Sequence, residues 1–296
     1  MCAILGVVVA LLLANDVLCK AMIFSSTGTP QYKMWRLFEG YPKGEIAILG
    51  SSRAQSGIVP SAIGEDAFNY GLDGETQYEA VLHLHAVVAR NDTAPIIVNL
   101  DPWGINRDGL RGDYSLVRNR DGVPTAAQKL PKVGWAMCPT IRFFGKLRTT
   151  VANWVNSKVG GTKIITDGAI IGKASLTDDE WATVMSKMAT PTFEVNAEVV
   201  SDLDALLKQE HAPIVFVISP VTKFWYEKFA ADRSNPDGLA ELLARLRAYP
   251  NTRVIDLMTP NVGVYSNAEF FDPTHLNEHG ARRFSKELAS RIEAGR

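Results

Sequence analysis

Ala47-Ile48-Leu49-Gly50-Ser51-Ser52-Arg53 decides how the chain is read. An apolar run, beginning near Glu45, stops abruptly in glycine and two serines. Glu45 to Gly50 therefore predicts a short strand buried on both faces, the habit of parallel sheets. Ser51 to Gly57 follows as a turn that opens a helix or helical turn. Further apolar runs occur at Asp66–Gly71, Ala94–Leu100, Pro213–Ile218 and Thr252–Leu257. Helical periodicity separates them at Glu75–Arg90, Asn196–Glu210 and Asp237–Tyr249, and returns in a last helix starting near Asn277 with Ala281, Phe284, Leu288 and Ile292 on one face. Strands alternating with helices predict an α/β fold, a doubly wound parallel sheet with helices on both faces. Ligands of such sheets collect at the carboxyl ends of the strands. Ser52, Gly71, Asp101 and Ser219 would all lie there.

A second stretch belongs to the same edge. Phe271-Asp272-Pro273-Thr274-His275-Leu276-Asn277 sets a carboxylate and an imidazole three residues apart, ahead of the last helix. A carboxylate that accepts from one ring nitrogen leaves the other free to take a proton. Such a pair needs a nucleophile, and Ser51 or Ser52 offers one. By itself the segment also reads as a solvated surface loop capped by Asn277. The upstream serine turn favours the chemical reading.

Composition bounds the rest. The chain has 296 residues, 46% hydrophobic and 21% charged, with a formal net charge of -1. That is ordinary globular composition, and no basic tract marks a nucleic-acid footprint. Three cysteines, Cys2, Cys19 and Cys138, form neither a Cys-x-x-Cys pair nor a disulfide framework, so neither a metal nor another cofactor is expected. Ala3–Ala14 is an unbroken apolar run that resumes after Asn15 and Asp16 as 17–24. Residues 1–24 thus predict an N-terminal apolar helix, either a membrane anchor or a signal segment, with a buried soluble helix as the alternative. Lys20, Lys33 and Arg36 follow the run and no basic residue precedes it, a pattern that places the domain in the cytoplasm. Residues 25–44 read as a tether, 45–296 as the α/β domain, and about 105–190 as an insertion of loops and helices. In that insertion Thr140–Val159 predicts one helix, broken by Gly160-Gly161. Leu176–Ala189 predicts another, with Thr177 and Glu180 as a capping box.

These blocks together resemble the SGNH/GDSL hydrolase superfamily. Gly50-Ser51-Ser52-Arg53 resembles its first block, with Ser52 as nucleophile. Phe68-Asn69-Tyr70-Gly71 resembles the second, whose glycine N–H helps form an oxyanion hole. Asp272-Pro273-Thr274-His275 resembles the last, which supplies acid and base. The resemblance implies a flavodoxin-like sheet and the catalytic set Ser52, Asp272 and His275, with Ser52 and Gly71 as backbone oxyanion donors. It departs in two places. Ser51 stands where an aspartate is usual. Asn99-Leu100-Asp101-Pro102-Trp103 replaces the Gly-x-Asn-Asp third block, so Asn99 is a candidate oxyanion donor only if its side chain points to the site; Asn106 would substitute if its loop folds back. Arg53, Asp101 and Trp103 are candidates for the substrate cleft, against structural roles for Arg53 as a salt bridge and Trp103 as core.

The membrane segment and the Asp-Pro-Trp block resemble an anchored subgroup that assists D-alanine transfer or polysaccharide O-acetylation outside the cell membrane. That likeness implies an extracytoplasmic domain, against the charge pattern. It also implies an acylated carbohydrate or small ester as substrate and a membrane-bound acyltransferase as partner. The activity implied is serine-dependent acyl-ester hydrolysis or O-acyl transfer. A catalytically inactive accessory or carbohydrate-binding relative and a cytoplasmic small-ester hydrolase are the alternatives.

Overall fold

A computed structural model describes residues 2–101 apart from 91–92, then 151, 154–155 and most of 163–294; 173–175, 188–189, 192, 194–195, 210–211 and 260 fall outside it. The helix expected at Thr140–Val159, Gly160-Gly161, Trp103, Asn106 and Cys138 therefore lie outside the described residues, save three positions of that helix.

Five strands form one parallel sheet: β1 (Ile46–Leu49), β2 (Ala67–Asn69), β3 (Ile96–Asn99), β6 (Ile214–Ile218) and β7 (Thr252–Asp256). Their order is β2-β1-β3-β6-β7, which places β1 and β3 together at the topological switch. Two further strands, β4 (Lys163–Thr166) and β5 (Ala169–Gly172), make a separate antiparallel hairpin.

Alternation along the strands divides the core in two. Ala47, Leu49, Val98, Phe216 and Ile218 pack on one face with α2 (Pro30–Phe38), α5 (Gln77–Val88) and the helices Ala197–Gln209 and Ser234–Arg247. Ile48, Ile97, Val215, Val217 and Ile255 pack on the other, against α3 (Ser52–Gly57) and the helix Glu278–Glu293. Ala281, Phe284, Leu288 and Ile292 are buried there, as their spacing predicts. The sheet is thus doubly wound, and the fold is the α/β class expected.

Three elements depart from expectation. Residues 30–38 are a helix, not a tether: Met34, Leu37 and Phe38 belong to the core, because Thr29 caps Pro30 at a first helical turn and the apolar spacing suits one buried stripe. The hairpin Lys163–Gly172 lies within the stretch expected to hold only loops and helices; its turn at Asp167-Gly168 docks beside β2, with Asn69 N–H donating to Asp167 O at 2.8 Å. A helix at Lys223–Ala231 follows β6, capped by Thr222. In contrast, the capping box at Thr177 and Glu180 opens the helix Asp178–Lys187 as read.

The N-terminal helix α1 (Cys2–Phe24) is continuous through Asn15 and Asp16. Lys20 pairs with Asp16 one turn away, at 2.6 Å, which masks the charge in the apolar helix. Ile4–Phe24 is long and apolar enough to cross a membrane. Beyond it Phe24, Tyr32 and Trp35 form an aromatic cluster that joins α1 to α2.

Candidate active site

The site begins where β1 ends. Gly50 has φ +131°, and a Cβ there would lie 2.8 Å from the Asn99 carbonyl oxygen. Only glycine permits this turn so close to β3. Ser51 then caps α3. Its hydroxyl accepts from Arg53 N–H at 3.3 Å and donates to the Asp101 carboxylate. Ser52 is the first residue of the helix, so its N–H has no acceptor inside the helix.

His275 arrives from the opposite end of the sequence. Asp272 organises its loop: Oδ1 accepts from the N–H groups of Thr274 and His275, both at 2.9 Å, and from the Thr274 hydroxyl at 3.1 Å. The carboxylate also meets His275 Nδ1, at 2.7 Å from Oδ2 and 2.9 Å from Oδ1. An ionised carboxylate only accepts, so the ring proton sits on Nδ1. His275 Nε2 is then an acceptor, and it lies 2.7 Å from Ser52 Oγ. Asn277 caps the helix that follows, accepting from Gly280 N–H. The two readings of this segment therefore coexist: it is a capped loop, and its imidazole meets the serine.

Burial would raise the Asp272 carboxyl, but bonds from His275 and from the Thr274 and His275 backbone outweigh it and hold it below the ordinary carboxylate range. A group depressed on folding contributes stability that is complete above its unfolded value, about 3.9, and is lost as pH falls through the folded value. Asp272→Asn is thus expected to weaken the fold at neutral pH and progressively less as pH drops below about 4, read by urea unfolding.

Arg53 sits beneath this pair. It is 3% exposed. Nη1 bonds Asp101 at 3.0 Å, Nε bonds the Thr274 carbonyl at 3.2 Å, and Nη2 bonds the carbonyls of Ser219 and Pro220. One guanidinium therefore ties the starts of four segments that leave β1, β3, β6 and the His275 loop. Arg53 and Asp101 were candidates for the substrate cleft; both are buried, and their planar fork and acceptors are consumed within the protein. Asn99 is likewise 2% exposed. Its amide donates to Asp101 at 3.2 Å and its carbonyl accepts from Ser219, which answers the question of where its side chain points. Gly71 N–H, the other expected oxyanion donor, donates to Asn69 Oδ1 at 2.9 Å. A Cβ at Gly71 would lie 2.6 Å from Gln55 N, so the turn lies against α3.

Sequence reading missed a polar group behind Gly71. Lys33 is fully buried on α2, and its ammonium donates to Gly71 O. Glu75 and His83 pair nearby, both buried, Glu75 Oε1 meeting His83 Nδ1. A Lys in a predicted tether gives no such signal; only the apolar stripe of 30–38 around it hints that it points inward. His83 is packed, and His85 is a surface residue 3.3 Å from Asp202.

No family model and no curated protein matches the chain. A solved structure of a proposed platelet activating factor from Streptococcus pneumonia aligns with 93% of this chain and 96% of its own at 12% identity and a TM-score of 0.40. Likeness that distant adds nothing to the geometry above.

Proposed function

We propose that the protein is a serine-dependent acyl-ester hydrolase or O-acyltransferase of the SGNH kind. The observation that carries this reading is the chain of contacts from Asp272 through His275 to the Ser52 hydroxyl. Serine is a poor nucleophile until a base takes its proton. In the proposed step Ser52 Oγ attacks the acyl carbon while His275 Nε2 receives the hydroxyl proton. Asp272 holds the tautomer and balances the imidazolium. The same proton passes to the departing alcohol, leaving the acyl group on Ser52. Water then releases it as acid, or a sugar hydroxyl accepts it; His275 activates either one. Ser52 N–H would face the developing oxyanion, and Gly71 N–H would be shared between it and Asn69 as a three-centre bond.

We assign the substrate to acylated carbohydrate at an extracytoplasmic surface, with α1 as anchor and a membrane-bound acyltransferase as partner. A C-terminal alkaline phosphatase fusion is expected to be active; an inactive fusion would place the domain in the cytoplasm, as the flanking charges suggest.

A second reading has its own support. With Asn99 held inside and Gly71 turned toward Asn69, Ser52 N–H is the one of the three expected donors without an acceptor among the described residues. Losing one donor typically costs about 100- to 1,000-fold in rate, so a catalytically inactive accessory is the competing proposal. Labelling by a serine-reactive fluorophosphonate separates the two. The wild type should label and Ser52→Ala and His275→Ala should not; equal inertness of all three supports the accessory.

A further inference from the structure

We infer that Lys33 is a positioning residue for the proposed reaction, holding the Gly71 turn against the nucleophile from a helix that adjoins the membrane segment. This rests on the hydrolase reading given above. The segment Tyr70-Gly71-Leu72 extends the pairing of β2 with β1: Tyr70 N–H donates to Ile48 O at 2.8 Å and Leu72 N–H to Gly50 O at 2.9 Å. Between them Gly71 is free of any side chain, and its peptide planes are the easiest to rotate. Lys33 fixes the second of those planes by donating to its carbonyl. The Gly71 N–H lies on the first plane, hinged to the second at the glycine Cα, so anchoring the carbonyl side limits how far the turn that presents it can move.

The placement is costly, which argues that it does something. A buried ammonium pays a desolvation penalty, and an apolar residue at this point of α2 would avoid it. Here burial lowers the Lys33 pKa to about 7, with the Glu75 carboxylate opposing. Glu75, from the loop after Gly71, is the charge facing it most directly; His83 and Glu79 on α5 surround Glu75. Glu45, paired with Arg36 and accepting from the Tyr70 hydroxyl, forms a neighbouring group around the residue before Gly71. A charged donor makes roughly twice as strong a bond to a carbonyl as a neutral one. The grip on Gly71 should therefore weaken as pH rises through the Lys33 pKa.

The test is the pH profile of fluorophosphonate labelling of the full chain in detergent micelles, from roughly pH 6 to 9. The wild type should show an alkaline fall as Lys33 loses its proton. Lys33→Met should lower the maximal rate by about 10- to 100-fold and abolish the alkaline fall. Turnover of a chromogenic acetyl ester, normalised to the folded fraction, should show the loss in kcat with KM unchanged. A Lys33→Met variant with wild-type rate and wild-type alkaline limb overturns the inference. Should that variant lack a cooperative melting transition, Glu75→Gln takes its place: the alkaline fall must move to lower pH, and a fall that stays put is equally fatal. Labelling that survives Ser52→Ala instead sinks the hydrolase reading, and this inference with it. Loss of labelling in Ser52→Ala beside unaltered Lys33 variants sinks this inference alone.

Discussion

Ser52→Ala is expected to reduce ester turnover by at least about 10,000-fold while leaving the fold intact. The hydroxyl contacts His275 Nε2, and among the described residues it makes no contact that holds α3 together. The helix is capped by Ser51, and its backbone bonds do not involve the Ser52 side chain. Thermal unfolding should thus barely move. His275→Ala should match the loss, and the double variant should lose little more, because the two groups act as a unit. Additive losses would mean that they serve separate steps. Appreciable turnover by Ser52→Ala would transfer attention to Ser51, whose hydroxyl is already engaged by Asp101.

Arg53→Met is expected to destabilise the protein by about 3–5 kcal/mol, the usual result of removing one partner of a buried ion pair. Asp101 would be left buried with Asn99 and Ser51 as its remaining described donors. The carbonyls of Thr274, Ser219 and Pro220 would lose their shared donor as well. Denaturant unfolding reads the change directly. Arg53→Met combined with Asp101→Leu should recover part of the loss, since two matched apolar groups leave no orphan charge. Because Thr274 adjoins His275, Arg53→Met should also slow labelling of Ser52 at temperatures where it remains folded. A fully stable Arg53→Met would show that the guanidinium is peripheral to the assembly.

Much of this was legible in the amino-acid sequence. Parallel strands buried on both faces leave continuous apolar runs, so β1, β3, β6 and β7 stand out from Ile46-Ala47-Ile48-Leu49 onward. The meeting of Ser52, Asp272 and His275 was legible because their residue types and chain order suggested one site. The hairpin Lys163–Gly172 was not: four-residue strands inside a polar insertion lack enough periods to register. Arg53 was open to two readings, and tertiary packing shows the salt bridge with Asp101; that both are buried was not legible, because charged residues near a serine turn look exposed in sequence. Lys33 was hidden for a related reason. A lone cation in a short segment reads as solvated until the segment is found to be a core helix.

The hydroxyl of Ser52 and the imidazole of His275 meet across 223 positions of chain. Closing so long a span costs entropy that only the completed sheet repays. A ribosome-bound chain consequently exposes Ser52 well before His275 has been synthesised. On the proposed reading, reactivity would switch on only with completion of the tertiary structure.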